Sequence, residues 1–318
     1  MSLTINHQTN DISNATGTIL VNGVAVGGDN TPYFGDRGLF GGGYGSDRST
    51  IDYVTISSTG NATDFGDLSV ARYRLASCAG SGRGLFAGGG FSSTDTIDYV
   101  TIATTGNAAD FGNLLATEYD LAGCSDPTRG LFGGGAADAG STVIQYVTIA
   151  STGNATDFGD LTTGRYQPFA LSDGTKGVFA GGRPGDPSNV IDFVTIQTTG
   201  NATDFGDLTV ARHNSAGASN KTRGVFGGGR SGGSNLDVID YITVATTGNA
   251  TDFGNLSSIR YGVAASTNGT RAVFGGGDNT SGSGENTIEY ITIANTGNAT
   301  DFGDLTAARV QLAGCSGD

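Results

Sequence analysis

Apolar positions in this chain fall in short runs separated by glycine, asparagine and serine, and the runs return in the same order six times. Each block opens on a basic residue, a small residue, an aliphatic and a phenylalanine followed by glycine or alanine, as in Arg37-Gly38-Leu39-Phe40-Gly41. The phenylalanine returns at Phe86, Phe132, Phe179, Phe226 and Phe274, at intervals of 46, 46, 47, 47 and 48 residues. A second run, Ile51-Asp52-Tyr53-Val54-Thr55-Ile56, is echoed from Ile97, Ile144, Ile191, Ile239 and Ile288. A third, Gly60-Asn61-Ala62-Thr63-Asp64-Phe65-Gly66-Asp67-Leu68, has its phenylalanine again at Phe111, Phe158, Phe205, Phe253 and Phe302. The fourth is led by Arg72, Glu118, Arg165, Arg212, Arg260 and Arg309. No block holds a helix-length segment of 3.6-residue periodicity, so each predicts four β-strands.

Four antiparallel strands in a repeat of about 47 residues predict the blade of a β-propeller. The expected fold is therefore all-β, with six blades. Both faces of a blade meet neighbouring blades, which accounts for the apolar second run without strict alternation. The glycines after each landmark phenylalanine are expected at close blade contacts or a bulge. The final arginine-led run, Ala308 to Cys315, has no Phe-Gly strand after it, and the strand of Phe40 has no arginine-led run before it. Residues 306–316 are thus expected to complete the first blade as its innermost strand. Residues 1–35 lie outside the repeat. Two or three short strands are expected there, in an arm for attachment or oligomerisation, with the propeller spanning 36–318.

Composition narrows the function. The chain of 318 residues carries 56 glycines and a net charge of −14, with 36% hydrophobic residues. An acidic surface disfavours nucleic acid, whose phosphates require a clustered positive field. No apolar run approaches the roughly 20 residues that cross a bilayer, so membrane insertion is not expected. The start, Met1 to His7, has neither the basic nor the apolar region of a secretion signal. Three cysteines and two histidines are too few for a disulfide scaffold or a metal cluster, and synthesis in a reducing compartment is expected.

Two sets of side chains are candidates for binding. If the arginine-led strands are innermost, Arg72, Glu118, Arg165, Arg212, Arg260 and Arg309 ring one channel mouth and offer an anion site. The alternative is structural, each arginine bracing a hairpin through carbonyls or through Asp67, Asp160, Asp207 and Asp304. Connectivity places the loops after each Phe-Gly strand at the same mouth, and these vary in length and sequence. They carry Tyr44, Asp47, Arg48, Phe91, Asp95, Asp138, Arg183, Asp186, Arg230, Asn235, Asp278 and Asn279. Variable loops on a repeated scaffold are a natural place for a binding surface.

Other readings of the motifs lead to no chemistry. Asn61, Asp64 and Asp67 are too sparse for the six or more oxygens of a calcium site, and turn capping explains them. Asn61-Ala62-Thr63 is formally a glycosylation sequon, but without a signal peptide it is a by-product of the turn. Cys78, Cys124 and Cys315 share a slot held elsewhere by Leu171, Ala218 and Ser266, which marks a small buried position. No nucleophile–histidine grouping or phosphate loop can be assembled. No catalytic residue, metal or cofactor is expected.

The order of the four landmarks resembles kelch repeats over residues 37–318, although the usual tryptophan is replaced by Phe65 and its equivalents. The resemblance implies a propeller and says nothing about chemistry. Met1-Ser2-Leu3-Thr4-Ile5-Asn6-His7 with Ile19-Leu20-Val21-Asn22-Gly23-Val24-Ala25 resembles the start of tail-fibre and other virion proteins of tailed bacteriophages. The Thr-Gly-Asn-Ala-Thr-Asp-Phe-Gly-Asp-Leu repeats likewise look like propellers encoded by aquatic phages. These likenesses imply a non-enzymatic virion component, made in the bacterial cytoplasm and released by lysis. Residues 1–35 would hold it to other virion proteins, with self-association left open. The variable loops would bind a host surface component, in the first instance a glycan. A purely structural decoration or tail-joint protein is the alternative, and a kelch-like enzyme domain a second one.

Overall fold

In this computed structural model, the structure describes residues 4–6, 11–13, 20–21, 24–25, 34–45, 48–90, 94–136, 140–280, 282 and 284–317. Two compact units result, Met1–Thr31 and Pro32–Asp318. In the first, Thr4–Asn6 pairs with Asp11–Ser13 and Leu20–Val21 with Val24–Ala25, both antiparallel. In the second, Phe34 lies so close to Gly269 that a Cβ there would meet its ring at 2.5 Å, and the Asp36 carboxylate accepts hydrogen bonds from Ser57 and from Asn268.

The second unit is a six-bladed β-propeller of antiparallel four-stranded sheets, and no helix occurs among the described residues. Blade two is typical: Ala76–Gly80 innermost, then Arg83–Ala87, Thr96–Thr101 and Ala109–Asn113 outermost. Blade one is assembled from both ends of the repeat region, as expected from the unmatched runs. Ala313–Gly317 pairs antiparallel with Arg37–Gly41, setting Gly314 opposite Phe40. The closing strand is shorter than residues 306–316. Residues up to Val310 instead extend the outermost strand of blade six, Thr300–Val310, whose far end pairs with Tyr44–Gly45.

Each outermost strand carries a bulge. In blade one Ile51 stands opposite Gly66 and Asp52 opposite Asp64, so Phe65 is the extra residue. Gly66 adopts φ +145°, and any Cβ there would meet the backbone of Gly106 in the next blade at 2.5 Å. The bulge turns Phe65 inward to 3% exposure, edge-on to Tyr53 at 6.1 Å.

Three kinds of contact join neighbouring blades, and they account for most of the repeat. The landmark phenylalanine of each blade is fully buried against the blade before it. A Cβ on Gly41 would meet Phe86 at 2.5 Å, so the small residue after each phenylalanine makes room for the next one. Truncating such a ring to alanine costs about 3–5 kcal/mol. The leading basic residue reaches a carbonyl of the following blade, as when Arg37 donates to Ile102 at 2.8 Å and Arg271 to Ser57 at 2.9 Å. On the outer rim, Asn107 Oδ1 accepts from the Asp67 N–H at 3.0 Å, and Asn154, Asn201, Asn249, Asn298 and Asn61 repeat this around the ring. The Gly-Asn-Ala element therefore caps the neighbouring blade's outer strand rather than its own turn.

Candidate functional site

The arginine-led residues do not line an open mouth. Arg72, Arg165, Arg212, Arg260 and Arg309 are 0–1% exposed and Glu118 is 6% exposed. They lie in the connections between blades, ahead of the innermost strands. The Arg72 carbonyl accepts from Gly43 of blade one, while its guanidinium reaches Asp98 of blade two at 3.0 Å. Arg165 pairs with Asp192, Arg212 with Asp240, Arg260 with Glu289 and Arg309 with Asp52. The carboxylate partner is thus the acidic residue of the second run, not Asp67, Asp160, Asp207 or Asp304. Asp67 and Asp160 accept from Ser49 and Thr142, and the Asp207 and Asp304 backbones join the asparagine caps.

Each buried carboxylate is also held by a residue three before the arginine. Ser69 gives Asp98 both its backbone N–H and its hydroxyl, and Thr306 does the same for Asp52. Burial pulls the Arg72, Arg165 and Arg212 guanidinium groups below their ordinary value, with the paired carboxylate opposing it. An ion pair so enclosed within the protein is a brace. Blade three changes all three members together. Glu118 replaces the arginine, Gln145 the carboxylate and Leu115 the hydroxyl residue, and Gln145 Oε1 accepts from the Leu115 N–H at 2.7 Å.

The mouth is built two residues further on. Arg74, Asp120, Gln167, Asn214, Gly262 and Gln311 all adopt a left-handed backbone, with φ between 55° and 67°. That conformation aims each N–H at the carbonyl of its neighbour in the preceding connection. Arg74 donates to Gln311, Asp120 to Arg74, Gln167 to Asp120, Asn214 to Gln167, Gly262 to Asn214 and Gln311 to Gly262, at 2.7–3.1 Å. The result is a closed ring of six main-chain hydrogen bonds. The strain of five non-glycine residues in this region is offset by the bonds and by the fixed positions it gives their side chains.

Inside this ring the channel narrows. A Cβ on Gly123 would meet the Ser77 carbonyl oxygen at 2.4 Å, so innermost strands are nearly in backbone contact. The three cysteines line this part, all buried, and burial pushes their thiols up, that of Cys315 to about 12. They are inert by environment. At the opposite end Ser125, Ser172, Ser219, Thr267 and Ser316 each donate a hydroxyl to the carbonyl of the preceding blade's equivalent residue, while Ala79 breaks the series. Phe34 lies at that end too.

Two of the variable loops, those of Arg183 and Arg230, stand beside the main-chain ring. Asp47, Phe91 and Asp138 lie outside the described residues. Tyr44 is 43% exposed, stacked edge-on with Tyr73 at 5.6 Å and covered by the Arg48 guanidinium at 4.6 Å. Asn235 and Asp278 are buried and used internally: Asn235 donates to the Asp278 carbonyl at 3.0 Å, and Asp278 Oδ1 accepts from the Thr280 and Gly282 N–H groups. Asn279 donates to Glu285. The Asp95 carbonyl accepts from Leu114.

Arg183, Asp186 and Arg230 come together with residues that reading by sequence passes over. They line a cavity of about 400 Å³ with Arg74, Gln167, His213, Asn214 and Tyr261. Arg183 lies over the Tyr166 ring at 5.0 Å and Arg230 over Tyr261 at 5.4 Å. His213 is 5% exposed, and burial together with Arg183 and Arg230 pulls its imidazole down to about 4. Asp120, just inside the main-chain ring, receives Gln167 Nε2 at 3.2 Å and faces Arg74 at 3.7 Å. Burial outweighs the nearby arginines and raises its carboxyl to about 6.

The overlooked positions had one visible signal. Two residues after each leading arginine, the chain reads Arg, Asp, Gln, Asn, Gly and Gln, a polar, variable slot that includes glycine within an otherwise apolar run. Among the described residues no group of three or more His, Cys, Asp or Glu could hold a metal ion. The chain matches no protein-family model and no curated protein.

Proposed function

We propose that this protein is a non-enzymatic adhesion component of a bacteriophage particle, binding a host surface glycan through the variable-loop mouth of its propeller. The observation that carries this reading is where sequence variation falls. The outer caps, the phenylalanine interlocks and the basic bridges repeat almost unchanged around the ring, because each must fit a neighbouring blade. The loops at one mouth escape that constraint: one presents exposed Tyr44 under Arg48, and two others bring Arg183, Asp186 and Arg230 to a cavity. Phe34, where the chain enters the propeller, lies at the opposite mouth. The likeness of residues 1–7 and 19–25 to the start of tail-fibre proteins is in keeping with the same reading.

The test is retention of the labelled full chain on a panel of bacterial envelopes and on an array of their glycans. Replacing residues 184–187 with a glycine-serine linker, together with Tyr44→Ala and Arg48→Ala, should abolish retention without unfolding the propeller. Undiminished retention would place the binding surface elsewhere. A structural role in the particle has one observation of its own: Val70, Leu115 and Ile259 are 43–51% exposed in the connections between blades. Particles lacking the propeller that still adsorb normally would favour it.

A further inference from the structure

Basic side chains are scarce here, and most serve as braces. Of sixteen lysines and arginines, six lead the Phe-Gly strands and bond to carbonyls of the next blade. Five more are the buried arginines of the ion pairs. Arg48, Arg74, Arg183, Arg230 and Lys221 remain, and three of these five line one cavity. Arg74 pairs with Asp120, and Asp186 lines the same cavity, so the local positive field on this chain of net charge −14 comes from Arg183 and Arg230.

Three side chains that line the cavity also bury a polar atom with no hydrogen-bond partner among the described residues: His213 Nδ1, Gln167 Oε1 and Arg183 Nε. Five buried arginines elsewhere share the unpartnered Nε, but the histidine and glutamine atoms are particular to this site and call for an explanation. His213 stands where four other blades have Tyr73, Tyr119, Tyr166 and Tyr261, so the imidazole is particular to this site. Arg183 and Arg230 occupy equivalent positions, four after the landmark phenylalanine, where the other blades carry Tyr44, Gly90, Ala136 and Asp278. Their backbones pair with Tyr166 and His213, which fixes both residues at the rim.

We propose that this cavity binds an acidic sugar, its oxyanion between Arg183 and Arg230 and its hydroxyl groups on His213 and Gln167. Arginine forks suit carboxylate and phosphate oxygens. An uncharged imidazole offers one donor and one acceptor, and the glutamine carbonyl one further acceptor, which a bare inorganic anion would leave unused. The flanking Tyr166 and Tyr261 rings hold the guanidinium planes in place. This inference deepens the adhesion reading and rests on it for biological meaning, but not for its chemistry.

The experiment titrates the full chain with galacturonate, glucose 1-phosphate, neutral galactose and inorganic phosphate, by calorimetry and by NMR of the histidine ring. At least one acidic sugar should bind about tenfold more tightly than galactose or inorganic phosphate. Galacturonate and glucose 1-phosphate separate a carboxylate from a phosphate source. Saturation with that sugar should raise the His213 titration midpoint from about 4, since the anion offsets the two guanidinium groups. R183Q/R230Q should weaken binding about tenfold or more with an unchanged melting temperature. If that variant melts early, R183K/R230K keeps the charge, removes the fork and should still weaken binding. Equal binding of galactose, inorganic phosphate as tight as the acidic sugars, no binding of either acidic sugar, or indifference to both variants would each overturn the proposal. Retention on envelopes separates the two readings. Wild-type chain that binds an acidic sugar but no envelope would sink the adhesion role and leave the site standing. Envelope retention without acidic-sugar binding would do the reverse.

Discussion

Arg309, in the last connection of the ring, places its Nη2 2.5 Å from Oδ2 of Asp52 in the first blade, 257 residues away in sequence. The same arginine donates to the carbonyls of Gly42 and Thr50, while its own carbonyl accepts from Gly277 of blade six. One residue, by its side chain on one side and its main chain on the other, therefore spans the junction that turns a row of blades into a ring. Removing it strands a buried carboxylate, so Arg309→Ala should lower stability by about 3–5 kcal/mol in chemical denaturation. Truncation after Leu305 should go further. It exposes the free edge of Arg37–Gly41 and should give an aggregating chain, visible by light scattering.

Blade three should behave as a self-consistent exception. Glu118→Arg alone introduces a buried cation opposite Gln145 and should destabilise by a few kcal/mol. Adding Gln145→Asp supplies the partner found in four other blades and should recover most of the loss, with Leu115→Thr contributing more. A coupling energy of about 2 kcal/mol or more in the double-mutant cycle checks this, and additive losses would show that the three positions do not act together.

Acid dependence should arise from two opposed groups. Asp120 has its pKa raised to about 6, so the folded state holds its proton more tightly and stability increases as pH falls from 6 toward 4. His213 has its pKa lowered to about 4, so the unfolded state takes up the proton first and stability decreases as pH falls from about 6.5 to 4. Each effect is worth up to about 3 kcal/mol, and they largely cancel in the native chain. His213→Tyr should unmask the first, giving a protein that becomes more stable on acidification over this window. Asp120→Asn should unmask the second and give the opposite slope. Melting temperatures at pH 7, 5.5 and 4.5 distinguish them.

At the far end of the channel, Ala79 is the residue that interrupts the hydroxyl series. Ala79→Ser should donate to the Ser316 carbonyl, complete the series and add about 1 kcal/mol. An unchanged or lowered melting temperature would count against that geometry.

The blade architecture was legible because its determinants are close in sequence and repeated. Phe40 and Gly41, Asn61 and Gly66 recur in fixed order, and unmatched runs at the two ends announced the closing strand. The role of Arg72 was harder to see, since its partner Asp98 lies 26 residues on, in a run that reads as apolar strand. A buried charge pair leaves no local trace. The cavity was half visible. Arg183, Asp186 and Arg230 stand out as charges in variable loops, whereas His213 and Gln167 sit in the arginine-led run and enter the site only because the left-handed turn at the mouth presents them. Asn235 and Asp278 look equally available in sequence, and only the fold reveals that the loop itself uses them.

Because Ala313–Gly317 completes the sheet that Arg37–Gly41 begins, a ribosome making this chain emits the foundation of blade one before the five other blades and its keystone after them. Throughout translation of five intervening blades the nascent chain carries an unfinished sheet. Whatever accompanies it during those seconds must tolerate or shield that sheet, and a stalled or prematurely ended product would never become a ring.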